Sequence, residues 1–179
     1  MRKLGMDELN RKSVAEFRSA EKIPVVVLLE NIRSAYNVGS VFRTADAFLI
    51  EAVFISGYTA KPPHKEITKT ALGAQDSVNW KYFETTKLAI EQLKQNQYSV
   101  FAVEQVEDSI RLEKLSGLGI DKIAFIFGNE VSGVDQETLT YCDGCIEIPQ
   151  FGMKHSLNIS VAAGIILWEA IKTKSFLKA

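Results

Sequence analysis

At 179 residues, with 46% hydrophobic and 24% charged side chains, the chain has the composition of an ordinary folded domain and room for one core. No tract is biased enough for disorder, the N-terminus holds no signal-like apolar stretch, and the longest apolar run, 159–168, is about half of the roughly 20 residues a bilayer span needs. A soluble cytoplasmic protein with no membrane partner is therefore expected, and a formal charge of −1 excludes a broadly basic nucleic-acid binder, so any nucleic-acid contact must use local patches.

Residues 1–23 read as an N-terminal helical extension, in which Arg2, Lys3, Arg11, Lys12, Arg18 and Lys22 face Asp7, Glu8, Glu16 and Glu21. That near balance suits a solvated helix as well as one facing a nucleic acid. From Pro24 onward a single domain, 24–179, is expected. The β-branched run Val25–Leu29 predicts a strand buried on both faces. After a polar loop, Val41, Phe42, Ala45 and Phe48 recur at helical spacing, and Ala52–Ser56 returns to strand. Between them and the next strand lies Lys61-Pro-Pro-His64-Lys65-Glu66-Ile-Thr-Lys69, a basic patch to which His64 adds charge below its pKa.

The alternation continues with a short strand near 78–83, a helix about Thr85–Asn96 and strands at Tyr98–Val103 and Lys122–Phe127. A short helix about Asp135–Thr140, a strand at Cys145–Ile148 and a last helix about Leu157–Lys172 complete it. Strands alternating with helices predict an α/β fold with a mostly parallel sheet flanked by helices. Cys142 and Cys145 form a CxxC pair, but the chain has no paired His or further Cys to complete a zinc site, and two reduced thiols with no metal are expected.

Such sheets bind ligands at the carboxyl ends of their strands, and three loops there carry chemistry. The first, from Asn31, leads through Asn37 to Arg43 on the following helix. Asn37 suits a helix N-cap, and Arg43 either grips phosphate with its planar fork of donors or pairs structurally with an acid. The second, Phe127-Gly128-Asn129-Glu130-Val131-Ser132-Gly133-Val134, brackets a carboxylate between two glycines, which permits close backbone approach to a ligand. It is neither a Walker loop nor a dinucleotide fingerprint. The third runs from Ile148-Pro149 to Ser156-Leu157-Asn158. Ser156 suits an N-cap, and His155 has no partner acid or nucleophile to make it a catalyst.

Taken together and in register from Pro24 to Glu169, these segments resemble the three motifs of the SpoU/TrmH-like branch of the SPOUT RNA methyltransferases. The resemblance implies a deep C-terminal trefoil knot, one of the few threaded folds, and a homodimer with the knot helices at its interface. It implies transfer of the methyl group of S-adenosylmethionine to a ribose 2′-hydroxyl of RNA. The family pattern assigns catalysis to Asn37, Arg43, Glu130, Ser156 and Asn158, and the methyl donor to Gly128, Ile148, Leu157 and Val103. Arg43 would meet the RNA phosphate and the developing oxyanion, Glu130 would orient Arg43 or the ribose, and Lys61, His64, Lys65 and Lys69 would help hold the RNA. Gln150-Phe151 and His155 depart from the pattern and bear on substrate preference.

A compact catalytic unit with short extensions is similar to the family's stand-alone members, so tRNA is the expected substrate, with the same donor chemistry on ribosomal RNA as the alternative. A non-catalytic RNA-binding module would be signalled by loss of Arg43 or Glu130, and both are present. A flavodoxin-like nucleotide binder is disfavoured, since no phosphate-cradling glycine loop follows the first strand.

Overall fold

The computed structural model describes residues 1–9, 11–153 and 156–172. Seven strands form one sheet: β1 (Ile23–Glu30), β2 (Ile50–Ser56), β3 (Asn79–Phe83), β4 (Ser99–Val103), β5 (Ile110–Arg111), β6 (Ile123–Phe127) and β7 (Gly144–Glu147). Their order is β3-β2-β1-β6-β4-β7-β5, and every pairing is parallel. The mostly parallel α/β sheet expected from the alternation is thus present.

The apolar runs become the central strands for a simple reason. In β1, Val25, Val27 and Leu29 enter one core, while Val26 and Leu28 enter the other, because successive side chains of a strand point to opposite faces. Each full burial of such a side chain stabilises the fold by roughly 1.5–3 kcal/mol. The first core is closed by α2 (Ala35–Ala47) and α7 (Ile159–Lys172), the second by α5 (Thr86–Gln95) and the short α6 (Gln136–Leu139).

The N-terminal extension is less helical than the sequence reading suggests. It holds one turn of 3-10 helix at Met6–Leu9 and a six-residue helix, α1 (Val14–Ser19), whose Phe17 is buried in the first core. Two α-helices escape the periodicity analysis, α3 (Lys65–Ala71) and α4 (Ala74–Ser77), as does the 3-10 helix Leu112–Leu118. Each is too short for a 3.6-residue stripe to show, and in α3 only Ile67 and Ala71 are buried. Gly39 of α2 allows α3 to pack tightly, since a Cβ there would lie 2.1 Å from Thr70 Oγ1 and 2.4 Å from the Ile67 carbonyl. No helix among the described residues is long and apolar enough to cross a membrane.

Candidate active site at the carboxyl ends of the strands

The chain runs outward through β1, β2 and β3, then crosses over, so β6 inserts between β1 and β4, and β7 between β4 and β5. The loops leaving β1, β4, β6 and β7 therefore converge, the arrangement that opens a crevice in parallel sheets. A cleft of about 620 Å³ lies there, within the range of small-molecule sites. Val103, Gly128, Ile148 and Leu157 all line it, as do Glu130, Ser156 and Asn158.

The second loop closes on itself. Asn129 and Gly133 exchange backbone hydrogen bonds of 2.9 Å each, and Gly133 adopts φ 72°. Gly128 sits under this loop, where a Cβ would be 2.2 Å from the Gly133 carbonyl carbon. The glycine is thus demanded by its own loop before any ligand is considered. Asn129 Oδ1 accepts from the amides of Val131 and Ser132, fixing the segment that presents Glu130.

From there one polar chain joins all three loops. The Glu130 carboxylate accepts from the backbone amides of Arg33 (2.8 Å) and Ser34 (3.1 Å), and from Asn37 Nδ2 (3.0 Å). Asn37 Oδ1 in turn accepts from Asn158 Nδ2 at 3.2 Å. Partial burial pushes the Glu130 carboxyl upward, but the Arg33 amide, the Asn37 side chain and the Ser34 amide outweigh it and hold the group below its ordinary value. Glu130 is accordingly an ionised acceptor at neutral pH.

Three local readings change. Ser34, not Asn37, caps α2, accepting from the Asn37 amide at 3.4 Å. Asn158, not Ser156, caps α7: its side chain accepts from the Ser160 amide (2.9 Å) and its carbonyl from the Ala162 amide (2.9 Å). His64 caps α3, with Nδ1 accepting from the Glu66 amide at 3.3 Å.

Arg43 is exposed and has no hydrogen-bond or ion-pair partner among the described residues. Six residues beyond Asn37 it sits roughly 9 Å along the helix and about 120° around it, outside the polar chain. Lys61 stacks its ammonium 3.5 Å from the centre of the Tyr82 ring, Lys69 lies 5.6 Å from that of Tyr36, and Lys65 is exposed. Ser156 is exposed at the cleft mouth, and His155 lies outside the described residues.

The sequence reading missed two acids that shape the site. Glu30, only 1% exposed, accepts from the Asp135 amide (2.9 Å) and from Thr138 Oγ1, fastening the second loop to the end of β1. Its signal was a carboxylate closing an otherwise apolar strand. Glu104 lines the cleft and accepts from the Val134 amide at 3.2 Å.

The pattern of the SpoU rRNA methylase family matches residues 24–168 of this sequence. The chain belongs to that family. Among family relatives, it is 32% identical over 164 residues to the tRNA (guanosine(18)-2′-O)-methyltransferase of Thermus thermophilus, covering 91% of this chain and 82% of that one. It is 28% identical over 173 residues to the 23S rRNA (guanosine-2′-O-)-methyltransferase of Blochmanniella floridana, 96% of this chain and 67% of the relative. The AdoMet-bound rRNA methyltransferase of Sinorhizobium meliloti has the same fold, with a TM-score of 0.75 at 24% identity over 88% of this chain and 60% of that one. The family read from the three motifs in the sequence is therefore the family of the protein.

Proposed function

We propose that this chain methylates a ribose 2′-hydroxyl of tRNA, acting in the cytoplasm as a homodimer whose subunits each carry the knotted C-terminal segment. As a SpoU family member related to 2′-O-methyltransferases of both tRNA and ribosomal RNA, it is an S-adenosylmethionine-dependent RNA methyltransferase. The observation that carries the site assignment is the chain Asn158 to Asn37 to Glu130, which ties three loops far apart in sequence at the mouth of one cleft. The preference for tRNA leans on the higher identity to the tRNA enzyme and the larger share of its length that is matched. Residues 24–179 act as the catalytic domain and 1–23 as an extension of it.

The cleft suits the methyl donor in chemistry as well as size. Val103, Ile148 and Leu157 offer an apolar ledge for an adenine ring, Gly128 brings backbone close, and Glu104 and Glu147 are carboxylates suited to a cationic ligand. The donor supplies an electrophilic methyl group on sulfur. Arg43 binds the RNA phosphate and stabilises the oxyanion that forms as the ribose hydroxyl loses its proton. Glu130, with its acceptor sites engaged, positions the start of α2 rather than orienting the guanidinium. Asn37, Ser156 and Asn158 hold the third loop against it, and Lys61, Lys65 and Lys69 contact the RNA backbone, with His64 shaping their helix.

Support for a second copy comes from α7. Val161, Ile165 and Trp168 recur at i, i+4 and i+7 and are each more than a third exposed, with Trp168 at 50%. An apolar stripe of this kind is the usual mark of a protein interface.

The deciding experiment incubates the protein with labelled donor and, separately, bulk tRNA and ribosomal RNA, then digests the product with alkali. A 2′-O-methyl group protects the adjoining phosphodiester, so label in an alkali-resistant dinucleotide from tRNA is the expected result. Label in ribosomal RNA alone would move the substrate, and label in neither would end the reading.

A further inference from the structure

Tyr58 lies in the tight turn that follows β2, closed by the Thr59 amide on the Ser56 carbonyl, and is 64% exposed. An exposed aromatic is ordinary; one locked at both ends is not. Its backbone N–H donates to Asn31 Oδ1 at 3.3 Å, and its phenol oxygen accepts from Asn129 Nδ2 at 2.6 Å. Asn129 is 9% exposed, and the same Nδ2 also donates to the Asn31 carbonyl at 2.9 Å. On either side the chain has no slack. Gly57 holds φ 63°, with Asn31 Oδ1 occupying the space of a Cβ, while buried Thr59 accepts from the Ile32 amide at 2.8 Å.

The ring is thus presented to solvent with its rotational freedom already spent, which lowers the entropic cost of any contact made on its face. It is also tied to the reacting loops. Asn129 is the residue before Glu130, and Asn31 opens the loop whose Arg33 and Ser34 amides Glu130 takes. Positive charge stands beside it: the Gly57 carbonyl accepts from the Tyr82 hydroxyl at 3.1 Å, and the Lys61 ammonium lies over that second ring. Rigid aromatic faces next to cations are how proteins hold unpaired nucleotides, since every base has a stackable face and every nucleotide a phosphate.

We propose that Tyr58 is a stacking platform for an unpaired base of the substrate RNA, placing that nucleotide beside the Asn37–Glu130 loops. The proposal rests on the RNA methyltransferase reading above. Tyr58 positions the substrate and takes no part in the chemical step.

The test compares the intact protein with Tyr58→Ala and Tyr58→Phe. Tyr58→Ala should raise the KM for bulk tRNA by about 5- to 100-fold, the loss expected for one stacked base, with little change in kcat. Tyr58→Phe, which keeps the stacking face but gives up its anchor on Asn129, should show only part of that loss, its KM lying between those of the parent and Tyr58→Ala. Binding of a single-stranded oligoribonucleotide carrying 2-aminopurine should quench its fluorescence in the parent and in Tyr58→Phe but not in Tyr58→Ala. Calorimetric titration with S-adenosylmethionine should be unchanged throughout, showing that the loops remain folded. An unchanged KM and full quench in Tyr58→Ala would overturn the proposal, as would a Tyr58→Phe variant as impaired as Tyr58→Ala, which would assign the effect to the Asn129 bond. Parent protein that transfers no methyl group to any RNA would instead overturn the functional reading, and this platform with it.

Discussion

Glu16 and Glu130 perform the same task on two helices and illustrate different uses of it. At α1 the capping is local. Ser13 N–H donates to Glu16 Oε2 at 2.7 Å, and the Glu16 amide donates back to Ser13 Oγ at 3.3 Å, a reciprocal box between residues three positions apart. At α2, Ser34 supplies the local cap, but the carboxylate comes from Glu130, 96 and 97 residues away from the amides it accepts. Both carboxyls are held below their usual value, Glu16 by the Ser13 amide and hydroxyl, Glu130 by several donors acting against burial. A local box stabilises one helix. A remote one makes the position of a helix depend on another loop, and here that helix carries Asn37 and Arg43 while that loop lines the cleft.

If that distinction is right, disturbing the α2 side should cost activity and disturbing the α1 side should not. The largest effect belongs to Arg43→Ala, which should lower turnover by at least ~100-fold, the scale for losing one charge-stabilising group. Because Arg43 stands outside the polar chain, calorimetry should find donor affinity close to the parent's. Near-full activity in that variant would remove Arg43 from the reaction.

Glu130→Gln comes next. It keeps the shape but weakens charge-assisted hydrogen bonds worth roughly 1.5–3 kcal/mol each, so turnover should drop about tenfold or more. It also carries a pH signature. A carboxyl whose folded value lies below its unfolded value of about 4.3 contributes stability above that pH and loses it as the pH falls towards the folded value. Thermal melts from pH 6 downward should therefore show a shallower acid decline in Glu130→Gln than in the parent. An identical decline would place the acid-sensitive groups elsewhere.

Gly39→Ala tests the same helix from its buried side. The added methyl would overlap Thr70 and the Ile67 backbone of α3, and overpacking of this kind costs about 1–3 kcal/mol. Denaturant unfolding should show that loss, together with weaker RNA binding as the Lys65–Lys69 segment shifts.

What could be read in advance follows from how far each feature depends on its neighbours in sequence. β1 and β6 were legible because strands buried on both faces need an uninterrupted apolar run, and Val25–Leu29 and Ile123–Phe127 supply one. β5 pairs through only two residues, Ile110 and Arg111, and carries no periodicity to read. The start of α2 misled because Asn and Ser both cap well, and only the structure shows Ser34 accepting from Asn37 rather than Asn37 capping. The three loops were recognisable as motifs, yet their union through Glu130 and Asn158 has no local trace. Tyr58 stayed invisible for the same reason: its exposure and its bond to Asn129 span 71 residues.

The smallest effect falls on the other side of the comparison, and it is the most discriminating. Ser13→Ala removes the hydroxyl that accepts from the Glu16 amide, a change worth about 1 kcal/mol at an N-cap. In a chain of this size that corresponds to a melting shift of ~2–4 °C, and less if α1 frays independently of the core. Phe17 keeps α1 anchored, and Arg18 donates to the Asp76 carbonyl at 2.6 Å, so the helix should remain docked. Neither contact reaches the cleft. Turnover and donor affinity measured well below the melting point should accordingly match the parent. A matched fall in turnover would mean that the N-terminal helix is coupled to α2 through α4 and the first core, and the separation between local and remote capping would no longer hold.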